Sequence, residues 1–190
     1  MTETAVDGRT LRRERNLETA VDAMLDLLGE GHPQPTAQDV ADRSGLSIRS
    51  IFRLFDDVES LYAAAVARQT ERIGPLLEPV PPTGPLADRV LALAARRTAL
   101  YEAIAPVRRS AMRQAATSPA VAAGLARADR VLRAQVKSLF ADERPAAVVV
   151  EAVDAAASFE TWDRLRTHQG LSRQKATQAV ALMLHRLLTD

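Results

Sequence analysis

Residues 36–55, TAQDVADRSGLSIRSIFRLF, read as two short helices joined by one tight turn. Thr36 stands where it can cap the first helix, with Asp39 three residues on in capping-box spacing. Val40, Ala41 and Leu46 supply an apolar side. Gly45 ends the helix, because glycine takes a left-handed backbone at little cost. Ser47 caps the second helix, whose Ile48, Ile51, Leu54 and Phe55 recur at three- and four-residue spacing as the inward stripe. Arg49, Ser50 and Arg53 are left facing outward. This is the grammar of a helix-turn-helix, in which the second helix enters the major groove of DNA. An outward arginine there can fork onto guanine O6 and N7 or clamp a phosphate. An ordinary helical hairpin with surface arginines is the alternative that these residues leave open.

The surroundings narrow the choice. A chain of 190 residues can bury a full core as one domain or two small ones, and its Ala, Leu and Arg content favours helix over strand. The absence of cysteine excludes disulfides and thiolate metal sites. No apolar run has the length of a membrane span, and MTETAVDGRT lacks a signal peptide's apolar centre, so a soluble cytoplasmic protein without membrane association is expected. The net charge of +1 is uneven. Residues 1–61 hold seven arginines against twelve acids, and the rest carries the positive excess. A DNA reader with an acidic balance needs its arginines gathered where DNA lies and its acids on other faces.

Taken in order, the chain starts with an unstructured tail over 1–8. A helix follows from about Thr10 to Leu28, with Leu17, Val21, Met24 and Leu28 as its stripe. Arg9, Arg12, Arg13 and Arg15 crowd its start, where positive charge opposes the helix dipole. A polyanion would turn that liability into a contact; a solvated basic tail is the other reading. Asp56 and Asp57 cap a fourth helix that runs to about Ile73. The proline-rich segment 74–85, GPLLEPVPPTGP, is expected to be a helix-free, stiff link. Helix resumes from Leu86 to Ala105, with Arg97 on its repeating positions beside Leu93, Ala94, Leu100 and Tyr101. Pro106 then starts a new helix to about Thr117. Ser118-Pro119 opens another to Phe140, with Arg127, Arg130, Arg133 and Lys137 on a solvated side. Pro145 opens one long helix that ends at Gly170, and Ser172 caps the last. The fold class is therefore all-α, with about nine helices. The expected domains are a DNA-binding domain over 9–56 and a regulatory and dimerisation domain over 57–190.

With these residues in place, the chain resembles the TetR family of transcriptional regulators. The family's signature, S-x-x-[TS]-[LIV]-Y-x-H-F-x-x-K-x-x-L, is met by Ser47, Ser50, Ile51, Phe55 and Leu61. Segment 158–172, SFETWDRLR…QGLS, also resembles the closing part of many members. Three positions depart from the pattern. Phe52 replaces Tyr, Leu54 replaces His and Val58 replaces Lys, each removing a polar handle on DNA. The DNA-facing set is then Arg12, Arg13, Thr36, Ser47, Arg49, Ser50, Phe52 and Arg53. The resemblance implies a homodimer through the last two helices, for which Val153, Ala157, Leu165, Val180, Leu184 and Leu187 are the candidate contacts. It also implies a palindromic DNA operator, a role as repressor, and a small-molecule effector that enters the C-terminal helices and releases the DNA.

Arg97, Tyr101, Met112, Phe159 and Trp162 are the candidates for the effector pocket, and plain core or dimer contacts account for the aromatic and Met residues equally well. Arg96, Arg97, Arg108, Arg109 and Arg113 gather positive charge that either meets an acidic ligand or is simply surface charge. Catalysis is not expected. His32, His168 and His185 have no second ligand at metal spacing, no phosphate-cradling glycine motif is present, and Glu151, Asp154 and Glu160 read as solvated or pocket-edge carboxylates. No metal or cofactor is expected. A helical protein–protein adaptor derived from such a regulator is the alternative, suggested by Phe52, Leu54 and Val58 together.

Overall fold

The computed structural model describes residues 3–32 and 34–189, and among them there are ten α-helices and no strand. The helices are α1 (Glu3–Gly29), α2 (Ala37–Ser44), α3 (Ile48–Leu54), α4 (Val58–Arg72), α5 (Gly74–Leu77), α6 (Leu86–Gln114), α7 (Pro119–Leu139), α8 (Ala147–Ala156), α9 (Phe159–Asp163) and α10 (Arg173–Thr189). None is long and apolar enough to cross a membrane. Two compact units emerge. One holds the chain up to Arg72 together with Pro106–Arg113; the other holds Ile73–Ala105 and everything from Gln114.

In the first unit, α1 packs on α2, α3 and α4. Ala20, Met24, Leu27 and Leu28 of α1 are buried along with Val40, Ala41, Ile51, Phe55 and Leu61. Helices of eight and seven residues such as α2 and α3 are too short to persist alone, so this burial and their caps together hold them. The expected unstructured tail is not seen: from Glu3 the chain is helical, and residues 1–2 lie outside the described ones. The segment ETAVD contains no breaker, and acids suit a first turn. Arg9 to Arg15 consequently sit past the first turn, where the dipole penalty has largely faded.

The second unit is built around Val90, Leu93, Leu100 and Tyr101 of α6, Val136 and Phe140 at the end of α7, Phe159 and Trp162 of α9, and Val180 and Leu184 of α10. Several boundaries differ from the sequence reading. Segment 74–85 is not free of helix, because α5 places Pro75 in its first turn, where no N–H is needed. Pro106 does not separate two helices; α6 continues through it to Gln114. The helix expected from Pro145 to Gly170 is broken after Ala156. There Ser158 Oγ accepts from the Thr161 N–H at 3.2 Å and caps α9, while Thr161 donates its hydroxyl to the Ala155 carbonyl at 2.7 Å. After Asp163 the chain widens into a π turn over Arg164–His168, and Gly170, with φ of 64°, ends it as expected.

Two expected solvated arginine groups are also corrected. Arg133 bridges Glu151 and Asp154 through both terminal nitrogens. Arg97 and Arg108 are buried rather than surface charge.

Candidate functional site

The helix-turn-helix is fixed atom by atom by its caps. Thr36 Oγ1 accepts from the Asp39 N–H at 3.2 Å, and the Asp39 carboxylate receives the Thr36 N–H at 2.8 Å, which completes the capping box. The Thr36 N–H, and with it the Thr36 hydroxyl, which donates to the same carboxylate at 2.7 Å, hold the Asp39 carboxyl below its usual range. Gly45 leaves α2 with φ of 70°, a left-handed turn that a side chain would strain. Ser47 Oγ accepts from the Ser50 N–H at 3.2 Å and starts α3. At the start of α4 only Asp57 caps, by accepting the Ser60 N–H at 2.7 Å; no capping bond is recorded for Asp56.

These caps aim α3. Ile51 and Phe55 are buried and Leu54 is half-buried, while Ile48, Arg49, Phe52 and Arg53 are exposed. Ile48 therefore does not belong to the inward stripe. It stands beside Phe52, one turn on, at the surface. Thr36 and Ser47 remain exposed although their oxygens are engaged in capping, and the Ser50 hydroxyl pairs with that of Ser47 at 2.9 Å.

Three acids of this unit are ion-paired. Arg43 binds Glu30 with both terminal nitrogens, which holds the Glu30 carboxyl below its usual range. Arg72 meets Asp22 at 2.6 Å and Arg68 meets Glu18 at 3.6 Å. Among the described residues, Arg12, Arg13, Arg49 and Arg53 are exposed and carry no ion pair. Glu18, Asp22 and Glu30 are thus neutralised by partners other than these four arginines.

The second unit contains a cavity of about 300 Å³. Arg97, Tyr101 and Phe159, three of the pocket candidates, line it together with Leu132. Asp129, Glu151, Asp154 and Glu160 form its carboxylate-rich rim, so the pocket-edge reading holds for the last three. Tyr101 donates its hydroxyl to the Ala157 carbonyl at 2.7 Å. Its ring meets Phe159 edge-on at 5.5 Å, and Trp162 tilts against both rings, at 5.8 Å and 5.6 Å. Met112 is not with them; it is exposed and belongs to the other unit.

Two buried arginines in this unit contrast. Arg89 binds the Leu139 carbonyl, the Gly84 carbonyl and Glu143, and lies over the Phe140 ring at 5.8 Å. Arg97 donates one terminal nitrogen to the Leu132 carbonyl at 2.8 Å, but its buried Nε has no partner, and neither has Trp162 Nε1. Burial pushes the Arg97 guanidinium down from its usual value, with nearby Tyr101 and Asp154 opposing the shift. An unpaired buried donor is costly, and both atoms are closed off from solvent.

The candidate dimer residues lie elsewhere than expected. Val153, Ala157, Leu165, Val180 and Leu184 are buried inside the chain's own core, and Leu187 is partly buried against it. Side chains packed within one chain cannot also form an exposed face for a second copy. The large apolar groups that are exposed on α8 and α10 are Val148 and Leu182, at 73% and 60%.

No family model matches the sequence, and no curated protein matches it significantly. Solved structures do match. A transcriptional regulator from Rhodococcus sp. Rha1 superposes with a TM-score of 0.71 at 18% identity, covering 93% of this chain and 95% of its own. A TetR-family transcriptional regulator from Streptomyces coelicolor gives 0.69 at 22% identity, covering 93% and 90%. A third structure, from Mesorhizobium loti, gives 0.63 at 16%, covering 95% and 96%. Over nearly its whole length, then, this chain has the fold of TetR-type transcriptional regulators, a helix-turn-helix followed by a larger helical part.

Proposed function

We propose that this protein is a DNA-binding transcriptional regulator that grips a palindromic operator as a homodimer and lets go when a small molecule fills the cavity beside Arg97. The observation that carries the reading is α3: a helix capped by Ser47 whose outward face holds Arg49 and Arg53, both exposed and without an ion pair. Arg12 and Arg13 of α1 supply further exposed charge for phosphates. Repression is the role we assign, since release by a ligand is the simplest use of such a protein.

For the dimer, the outward faces of α8 and α10 with Val148 and Leu182 are the surface we put forward. Paired subunits would set two copies of α3 about 34–36 Å apart, one turn of DNA. Selection from a random DNA pool by the purified chain, at two salt concentrations, tests the core of the proposal. It should return a palindrome, weakened or relaxed by Arg49→Ala and Arg53→Ala. No enriched sequence would sink it. Leu182→Glu should give a monomer in sedimentation and lose the palindrome.

The effector reading rests on the cavity. Two of its four carboxylates, Glu151 and Asp154, are already paired with Arg133, so the lining is not strongly acidic and an uncharged molecule suits it best. Trp162 is the only tryptophan and touches two rings of the lining, so its fluorescence should report binding. A helical adaptor remains the second reading, favoured by the exposed apolar pair Ile48 and Phe52. The same selection decides between them.

A further inference from the structure

The exposed face of α3 has four corners, and two are apolar. Ile48 is 42% exposed and Phe52 52%, one helical turn apart, with Arg49 and Arg53 alongside. Nothing in the first unit needs them there: Ile51 and Phe55 already supply the buried side of the helix. A phenyl ring and a butyl group cannot hydrogen-bond to phosphate or to a base edge. In the major groove the apolar group that base pairs present is the 5-methyl of thymine.

We infer that Ile48 and Phe52 read thymine methyl groups, so that each half-site combines thymines with the guanines or phosphates taken by Arg49 and Arg53. The inference rests on the proposal that α3 reads DNA. Side chains one turn apart on a helix stand about 5–6 Å from each other, and bases along a strand rise by about 3.4 Å. The two contacts therefore fall on thymines one or two steps apart. Specificity at these positions comes from shape and apolar contact, which makes the sites sensitive to a single methyl group.

The test uses the full-length chain and the site recovered by selection, with each thymine replaced in turn by deoxyuridine, which differs only in lacking that methyl. Wild-type affinity should fall about four-fold at each contacted thymine, the worth of one buried methyl-sized group. Phe52→Ala should bind the thymine site more weakly and no longer distinguish thymine from deoxyuridine at its own position. Ile48→Ala should do the same at the neighbouring one. Both side chains are exposed, so unchanged melting temperatures should confirm that the variants fold. A recovered site at which deoxyuridine is neutral everywhere, or one that Phe52→Ala still discriminates, overturns the inference and leaves the DNA-reading proposal standing. A pool that yields no site overturns both.

Discussion

The two units of the molecule are held together in different ways. In the first, α2 and α3 bury a handful of side chains and depend on caps, on one glycine turn and on exposed ion pairs such as Arg43 with Glu30. In the second, a tryptophan, a tyrosine and a phenylalanine are locked ring against ring over a core drawn from six helices. Even one of its cations, Arg89, is buried and fully engaged. Local hydrogen bonds each contribute modestly, while burial of large apolar groups contributes more per residue. The contrast teaches that the first unit is shaped by short-range chemistry, where direction matters, and the second by volume.

If that contrast is right, the largest loss should come from Phe159→Ala. Removing a buried ring should cost about 3–5 kcal/mol, read as an earlier urea midpoint of Trp162 fluorescence. A cost within the range of a single cap would erase the distinction. Next in size, Arg49→Ala should lower affinity for the selected DNA by about 1–3 kcal/mol while leaving the melting temperature unchanged. If it lowered stability as well, Arg49 would be structural.

Thr36→Ala removes the capping box and should destabilise the first unit by about 1 kcal/mol, visible in helical signal and not in Trp162 fluorescence. The smallest effect is with pH. The Glu30 and Asp39 carboxyls are held below their usual values, so their contribution is complete above the ordinary 4.5 and 3.8 and fades as pH falls through the lower folded values. Glu30→Gln should therefore flatten part of the acid limb of first-unit stability, as read by circular dichroism. An unaltered limb would mean that the Arg43 pair contributes nothing.

The same contrast explains what could be read from the sequence. Thr36, Gly45, Ser47 and Ser118 announced themselves because a cap is settled by residues three apart, and all four stand where expected. Arg97 falls in register with the apolar positions of α6, yet it read as well as surface charge, and its place beside Tyr101 and Phe159 at a cavity shows only in the structure. Long-range facts were hidden. Periodicity says that Val153, Val180 and Leu184 are buried, but not whether against the same subunit or another. Pro106 and Pro75 carry the same local signal as a break, and the surrounding packing decided that helix persists at both. Ser158 offered a cap inside a helix-length run, and its position after three alanines concealed it. Ile48 kept the spacing of the inward stripe, yet at the first position of a seven-residue helix nothing packs over it.

The shape of the first unit along the chain has a consequence for how the molecule is made. Tyr62 is buried on α4 and its hydroxyl interacts with Ser110, which is itself fully buried, near the Val107 carbonyl at 3.5 Å. The residues that close this unit thus arrive some forty positions after α4 ends. During vectorial synthesis the ribosome must release the whole proline-rich stretch and most of α6 before the first unit can finish folding. A gene fragment cut after Arg72 would encode all of the helix-turn-helix and still lack its last wall.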